Sequence, residues 1–127
     1  MNPVHVILAV ESLDRSLTVS RLVERHPQYQ IEAVVHDEIS AILAVMRLRE
    51  HPAFPIDEPV VVITSVTSRH HVPGNCERLL DEFPDITVVG LDEVTGALRT
   101  YRTAIDVREV SEPMEQFLDR LPGSLEI

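Results

Sequence analysis

The sequence predicts an α/β domain with a mostly parallel sheet and helices on both of its faces. Three features carry that expectation. Short β-branched apolar runs recur along the 127 residues, amphipathic stretches at i, i+3, i+4, i+7 spacing lie between them, and the two alternate. The length suits one domain spanning 1–127.

Val4 to Val10 is short, apolar and β-branched, as expected of a strand buried on both faces. A helix follows over roughly Asp14 to Arg25 and stops at His26–Pro27. Ile31 to Val35 is the second strand. Asp37 then caps a helix whose apolar face is expected to be Ile39, Ile42, Leu43 and Met46. Pro52 and Pro55 end it in a turn-rich connector. Pro59 to Ile63 (PVVVI) is the strongest strand signal, and Thr64 to His71 reads as a polar loop leading to Pro73 at a helix start. Cys76, Leu79, Leu80 and Phe83 repeat the helical spacing before Pro84, and Ile86 to Leu91 forms the fourth strand. The last helix covers roughly Glu112 to Leu121, with Ser111 as its cap and Met114, Phe117, Leu118 and Leu121 on its inner face.

One junction breaks the alternation. Between Leu91 and the strand-like Ala97 to Thr103 lie only the residues DEVTG. A parallel crossover takes about a dozen residues or more, so the fifth and last strand is expected to pair antiparallel, in a hairpin turning at Thr95–Gly96.

Composition excludes several function classes. The formal charge of −10 opposes sequence-independent nucleic-acid binding and docking on an anionic membrane. All 11 basic residues are Arg, so no lysine exists for Schiff-base chemistry or a P-loop. A single cysteine, Cys76, allows no intrachain disulfide, and the N-terminal apolar run is too short for a leader or a span. A cytoplasmic protein is expected.

The order of elements, with ILAVES ending the first strand and PVVVIT the third, resembles the receiver domain of response regulators over roughly the first ninety residues. The resemblance implies a flavodoxin-like three-layer sandwich with a five-stranded sheet in the order 2-1-3-4-5. It also implies an acidic pair after strand 1, a phosphoaccepting Asp at the end of strand 3, a Ser or Thr after strand 4 and a Lys ending strand 5. Here those positions read Glu11–Ser12, Thr64 followed by Ser65, Asp92, and no lysine, with Arg102 the nearest basic residue. Mg²⁺ needs hard oxygen donors, and the acidic pair is halved. A hydroxyl cannot form an acyl phosphate. The helix expected before strand 5 is absent as well. The stretch VPGNCERLLDEFPDITVVGLDEVTG is similar to a group of stand-alone receiver-like bacterial proteins with a Pro-Gly helix start and an L-L-x-E-[FY]-P ending, a likeness that implies fold alone. With no output segment after Ile127, a stand-alone module is expected.

Ligands of doubly wound sheets bind at the carboxyl edge of the strands. The candidate binding residues there are Glu11, Ser12, Thr64, Ser65, Arg69 and His70, with Asp14, His36, Asp37, Ser68 and His71 around them. Hydroxyls, Arg69 and a helix start suit a compact anion; the competing interpretation is that these groups only cap loops and helices. His70, His71 and Cys76 form no compact zinc spacing, so no metal is expected. Cys76 occupies an apolar helical position, which favours a buried core thiol over a nucleophile. No Ser/His/Asp spacing, HExxH or glycine-rich loop is present, and with 4 Gly no nucleotide cradle is expected. The expected function is a non-catalytic, cofactor-free signalling or regulatory module. It would act through a protein partner, with a second copy of itself as one candidate, and without nucleic acid or membrane. The alternative is a domain binding a small anion at the carboxyl edge.

Overall fold

The computed structural model describes residues 3–51, 53, 58–66, 74–102 and 107–125. In chain order the elements are β1 (Val4–Ala9), α1 (Leu13–Glu24), β2 (Tyr29–Val35), α2 (Glu38–Glu50), β3 (Val60–Val66), α3 (Gly74–Glu82), β4 (Thr87–Asp92), β5 (Leu98–Tyr101), β6 (Val107–Val110) and α4 (Met114–Leu125). They form an α/β fold around one mixed, six-stranded sheet in the order β2-β1-β3-β4-β5-β6. The four strands β2, β1, β3 and β4 run parallel, whereas β5 and β6 return antiparallel.

Side chains alternate across a strand, and the two cores follow that alternation. Val6 and Leu8 of β1, with Val61 and Ile63 of β3, pack with Val19 and Val23 of α1 and Phe117, Leu118 and Leu121 of α4. Ile7 and Ala9, with Val60 and Val62, pack instead with Ala41 and Val45 of α2 and Cys76, Leu79 and Phe83 of α3. The starts of α1 and α2 are capped by side chains. Ser12 Oγ accepts the Arg15 N–H at 3.3 Å, and Asp37 Oδ1 accepts the Ser40 N–H at 2.7 Å.

The expected hairpin is present. Asp92 N–H donates to the Ala97 carbonyl at 2.9 Å and Gly96 N–H to the Asp92 carbonyl at 2.7 Å. Gly96 sits at φ 76°, a left-handed conformation that glycine adopts without a Cβ penalty. Asp92 Oδ1 also accepts the N–H groups of Val94 and Thr95, at 2.9 and 3.2 Å. With no helix after β4, the fully buried Tyr101 of β5 fills the second core beside it.

Four expectations need correction. The sheet has six strands rather than five, because β6 pairs with β5 through Leu98↔Val110 to Tyr101↔Val107. Its sequence, VREV, is short and half charged, which hides it from a hydrophobic scan. The strand after Ile63 does not stop: Thr64, Ser65 and Val66 continue β3, pairing with Gly90, Leu91 and Asp92. The face of α2 expected inside is mostly outside. Ala41 and Val45 are buried, whereas Ile39, Leu43 and Met46 are 67, 43 and 40 % exposed. The cap of the last helix is not Ser111, since α4 begins at Met114 and its first bond runs from Phe117 N–H to the Pro113 carbonyl.

A tight contact yields the first prediction. A Cβ on Gly90 would lie 2.8 Å from Tyr101 Cε2 and 2.9 Å from Val66 Cγ1. Gly90→Ala is expected to lower stability by about 1–3 kcal/mol through overpacking. Urea unfolding should show a lower midpoint with an unchanged slope.

Candidate functional site

The carboxyl ends of β1, β2, β3 and β4 lie side by side in the sheet, and they bring together the residues that follow each strand. Ser65 Oγ, at the end of β3, accepts the Glu11 N–H at 3.0 Å. The Thr64 hydroxyl, one residue earlier and on the other face, donates to the Ala9 carbonyl at 3.2 Å and is buried. Both hydroxyls therefore tie β3 to the end of β1. His36 Nδ1 lies 2.9 Å from the Val10 carbonyl, fixing the turn after β2 against β1. On the β4 side, an Arg15 N–H donates to the Glu93 carbonyl at 3.0 Å and anchors α1 to the hairpin.

The six candidate residues divide three ways. Glu11, Thr64 and Ser65 share the β1–β3 junction described above, and Ser12 is spent as the cap of α1. Arg69 and His70 lie outside the described residues, as do His71 and Ser68. Asp37 also acts as a cap; hydrogen bonds from Ser40 hold its carboxyl below the usual carboxylate range. Among the described residues, the charges that follow the parallel strands include the carboxylates of Glu11, Asp14, Asp37, Glu38, Asp92 and Glu93, with Arg15 reaching the Glu93 carbonyl and Arg78 paired with Glu38. Like charges crowded there disfavour a further anion.

The reversal of β5 moves Arg102 away from this edge. Leu98 pairs with Leu91 near the end of β4, but Tyr101 pairs with Val88 near its start. Arg102 thus follows β5 at the amino edge of the parallel strands, the opposite end of the sheet from Thr64 and Glu11. An antiparallel strand cannot deliver its terminal residue to the carboxyl edge.

Cys76 lies in the second core, fully buried. Burial, and then the Glu38 carboxylate, push its thiol up to about 12. Among the described residues no group of three or more His, Cys, Asp or Glu side chains is placed to hold a metal ion, and no helix is long and apolar enough to cross a membrane.

A second concavity lies elsewhere, at the edge of the sheet. A cavity of ≈ 690 Å³ runs between α2 and β2. At its floor the buried His5 sits between two carboxylates, with Nδ1 2.6 Å from Glu32 Oε1 and Nε2 3.3 Å from Glu58 Oε2. The sequence gives no sign of this triad, whose members are separated by 27 and 53 residues. The one local signal is a polar residue inside an apolar run: His5 within VHVILA reads from the sequence as a buried, hydrogen-bonded histidine, as does His36 after the second strand, and both are hydrogen-bonded.

No family model, curated protein or solved structure matches this chain.

Two predictions come from these environments. Since thiolate is the reactive form, native Cys76 should react with a disulfide reagent at neutral pH far more slowly than the same thiol in urea. A labelling time course in both states reads this directly. His5→Ala should destabilise the fold by about 1–3 kcal/mol in chemical denaturation, because it removes the hydrogen-bond partner of the Glu32 and Glu58 carboxylates.

Proposed function

We propose that this chain is a receiver-derived module, flavodoxin-like and three-layered, that works by binding a protein partner and not by aspartyl phosphorylation. The observation that carries the positive half is the distribution of exposed apolar side chains. Of the eight exposed large hydrophobics among the described residues, Leu13, Leu17, Val34, Ile39, Leu43 and Met46 belong to α1, β2 and α2. Single exposed apolar residues need no explanation, but Ile39, Leu43 and Met46 stand together on the outer face of α2, and such a contiguous stripe is characteristic of an interaction surface.

Support for the negative half is chemical. At the end of β3 stand two hydroxyls, both engaged with β1, where a receiver carries its carboxylate. The side chain after β4 is Asp92, whose carboxylate holds the hairpin and would repel a phosphoryl group. A lysine ending the last strand is excluded by the composition, and Arg102 follows a strand of reversed direction. The acidity of the described carboxyl edge favours a protein partner over a small anion at that place.

The test is intact-mass measurement under mild conditions after incubation with acetyl phosphate and Mg²⁺. Unmodified mass is expected; an adduct of one phosphoryl group overturns the proposal. In the same buffer, inorganic phosphate should leave the thermal midpoint unchanged, since a ligand that binds only the folded state raises it in proportion to ln(1 + [L]/Kd).

A further inference from the structure

The chain passes from α1 to β2 through residues 25–28, and a buried histidine of that junction reaches the last helix. Both ring nitrogens of His26, which is 7 % exposed, meet an oxygen acceptor. Nδ1 lies 2.8 Å from the Leu22 carbonyl of α1, and Nε2 lies 2.7 Å from Asp119 Oδ1 of α4. Tyr29, the first residue of β2, stands edge-on to the ring, and its hydroxyl donates to the Leu118 carbonyl at 2.5 Å. One side chain thus joins the end of the first helix to the last, and its neighbour binds the same turn of α4.

The proton count of the ring follows from its partners. A backbone carbonyl and an ionised carboxylate can only accept, and a neutral imidazole has a single N–H to give. In that form the ring serves one oxygen and turns a lone pair on the other. Both short contacts are made together when both nitrogens are protonated. The alternative place for the second proton is Asp119, but its side chain is 67 % exposed, and water keeps a carboxylate ionised at neutral pH. Position favours the cation too. His26 directly follows Arg25, the C-cap of α1, where the last carbonyls of the helix and its dipole attract positive charge.

Among the described residues, three elements face the ring. α1 brings the Leu22 carbonyl, which does not titrate, β2 brings Tyr29, and α4 brings Asp119. Burial, and then the Asp119 carboxylate, push the Tyr29 phenol up, so it keeps the proton that it donates to α4. Glu24 and Arg25, beside His26 in sequence, and Glu115, one turn before Asp119, are exposed, where water and salt screen them. Tyr29, Val23 and Leu118 belong to the first core, so a change at this ring is felt where α4 packs on the sheet.

We propose that His26 is a proton-dependent clamp that holds α4 against α1 and the start of β2. With two protons the ring bonds both helices. When one proton passes to water, one contact becomes lone pair against lone pair, and the helix on that side loses its hold on the ring. The clamp therefore contributes stability while the ring is doubly protonated, and that contribution is lost as pH rises through the titration of the ring. The device stands apart from the protein-binding function proposed above and does not depend on it.

The test compares the full chain with its His26→Gln variant by urea unfolding over a series of pH values. Glutamine can donate a hydrogen bond but has no proton to lose in this range. His5 and the other titrating groups are common to both proteins and cancel in the difference. The wild type should be the more stable at the acid end of the series. As pH rises its advantage should shrink by about tenfold in the folded-to-unfolded ratio, the worth of one hydrogen bond to a charged group. The decline should follow the titration of the His26 ring in nitrogen-15 spectra, with both nitrogens protonated where the advantage is full. Asp119→Asn, at an exposed position, keeps an oxygen acceptor but removes the charge. It should move the ring titration to lower pH, and it keeps the test decisive should the glutamine chain not fold. A wild-type advantage that is constant with pH, a ring that stays singly protonated throughout, or a titration that Asp119→Asn leaves in place would overturn the clamp.

Discussion

Between Asp92 and Leu98 the chain has only residues 93–97 in which to turn, too few to climb over the sheet and return parallel. The rest of the right-hand side of the molecule depends on that constraint. The Asp92 carboxylate and the left-handed Gly96 fix the turn, so β5 must run back along β4. Once it does, Tyr101 arrives over Gly90 and fills the second core in the absence of a covering helix, and the glycine is required because any Cβ would strike that ring. The same reversal sends Arg102 to the amino edge and lets β6 pair antiparallel beyond it. A single short connection thus determines the packing of one core, the composition of the carboxyl edge and the character of one sheet edge.

How much of this was legible depended on which physical signal each element carried. The parallel strands were plain because a strand buried on both faces is a continuous β-branched run, as in VHVILA and PVVVI. The hairpin was plain because its length excludes the alternative. β6 was not, since VREV shows only apolar ends around two charges and owes its conformation to its neighbour β5. The face of α2 was misjudged because the helix is apolar almost all round; spacing chose Ile39, Leu43 and Met46, whereas the sheet accepts the smaller Ala41 and Val45 at close approach. At the carboxyl edge the sequence located Glu11, Thr64 and Ser65 correctly near one another. It did not show that the hydroxyls of Thr64 and Ser65 are engaged with backbone groups, because hydrogen-bond partners 54 or 55 residues apart leave no local pattern.

The misjudged helix face and the free strand edge are connected. A sheet edge normally owes its protection either to charges or to a covering element. At β6 the Arg99–Glu109 pair provides the first. At β2 neither is present: its one carboxylate is turned into the His5 triad, and α2 stands far enough away to leave a cavity. Large apolar side chains on the flanking helices then add to the exposed area rather than cover it.

Such an arrangement has a cost, because an open apolar edge is a route to aggregation. Two features limit it without closing the cavity. The register shift at Glu32 prevents uniform pairing along β2, and the extra residue is the one whose carboxylate lies 2.6 Å from His5, itself bracketed by Glu58 ahead of β3. The net charge of −10 keeps copies of the chain apart at long range. The contacts of His5 at the floor of the cavity thus bear on the edge itself, since Glu32 is both a residue of β2 and a partner of His5.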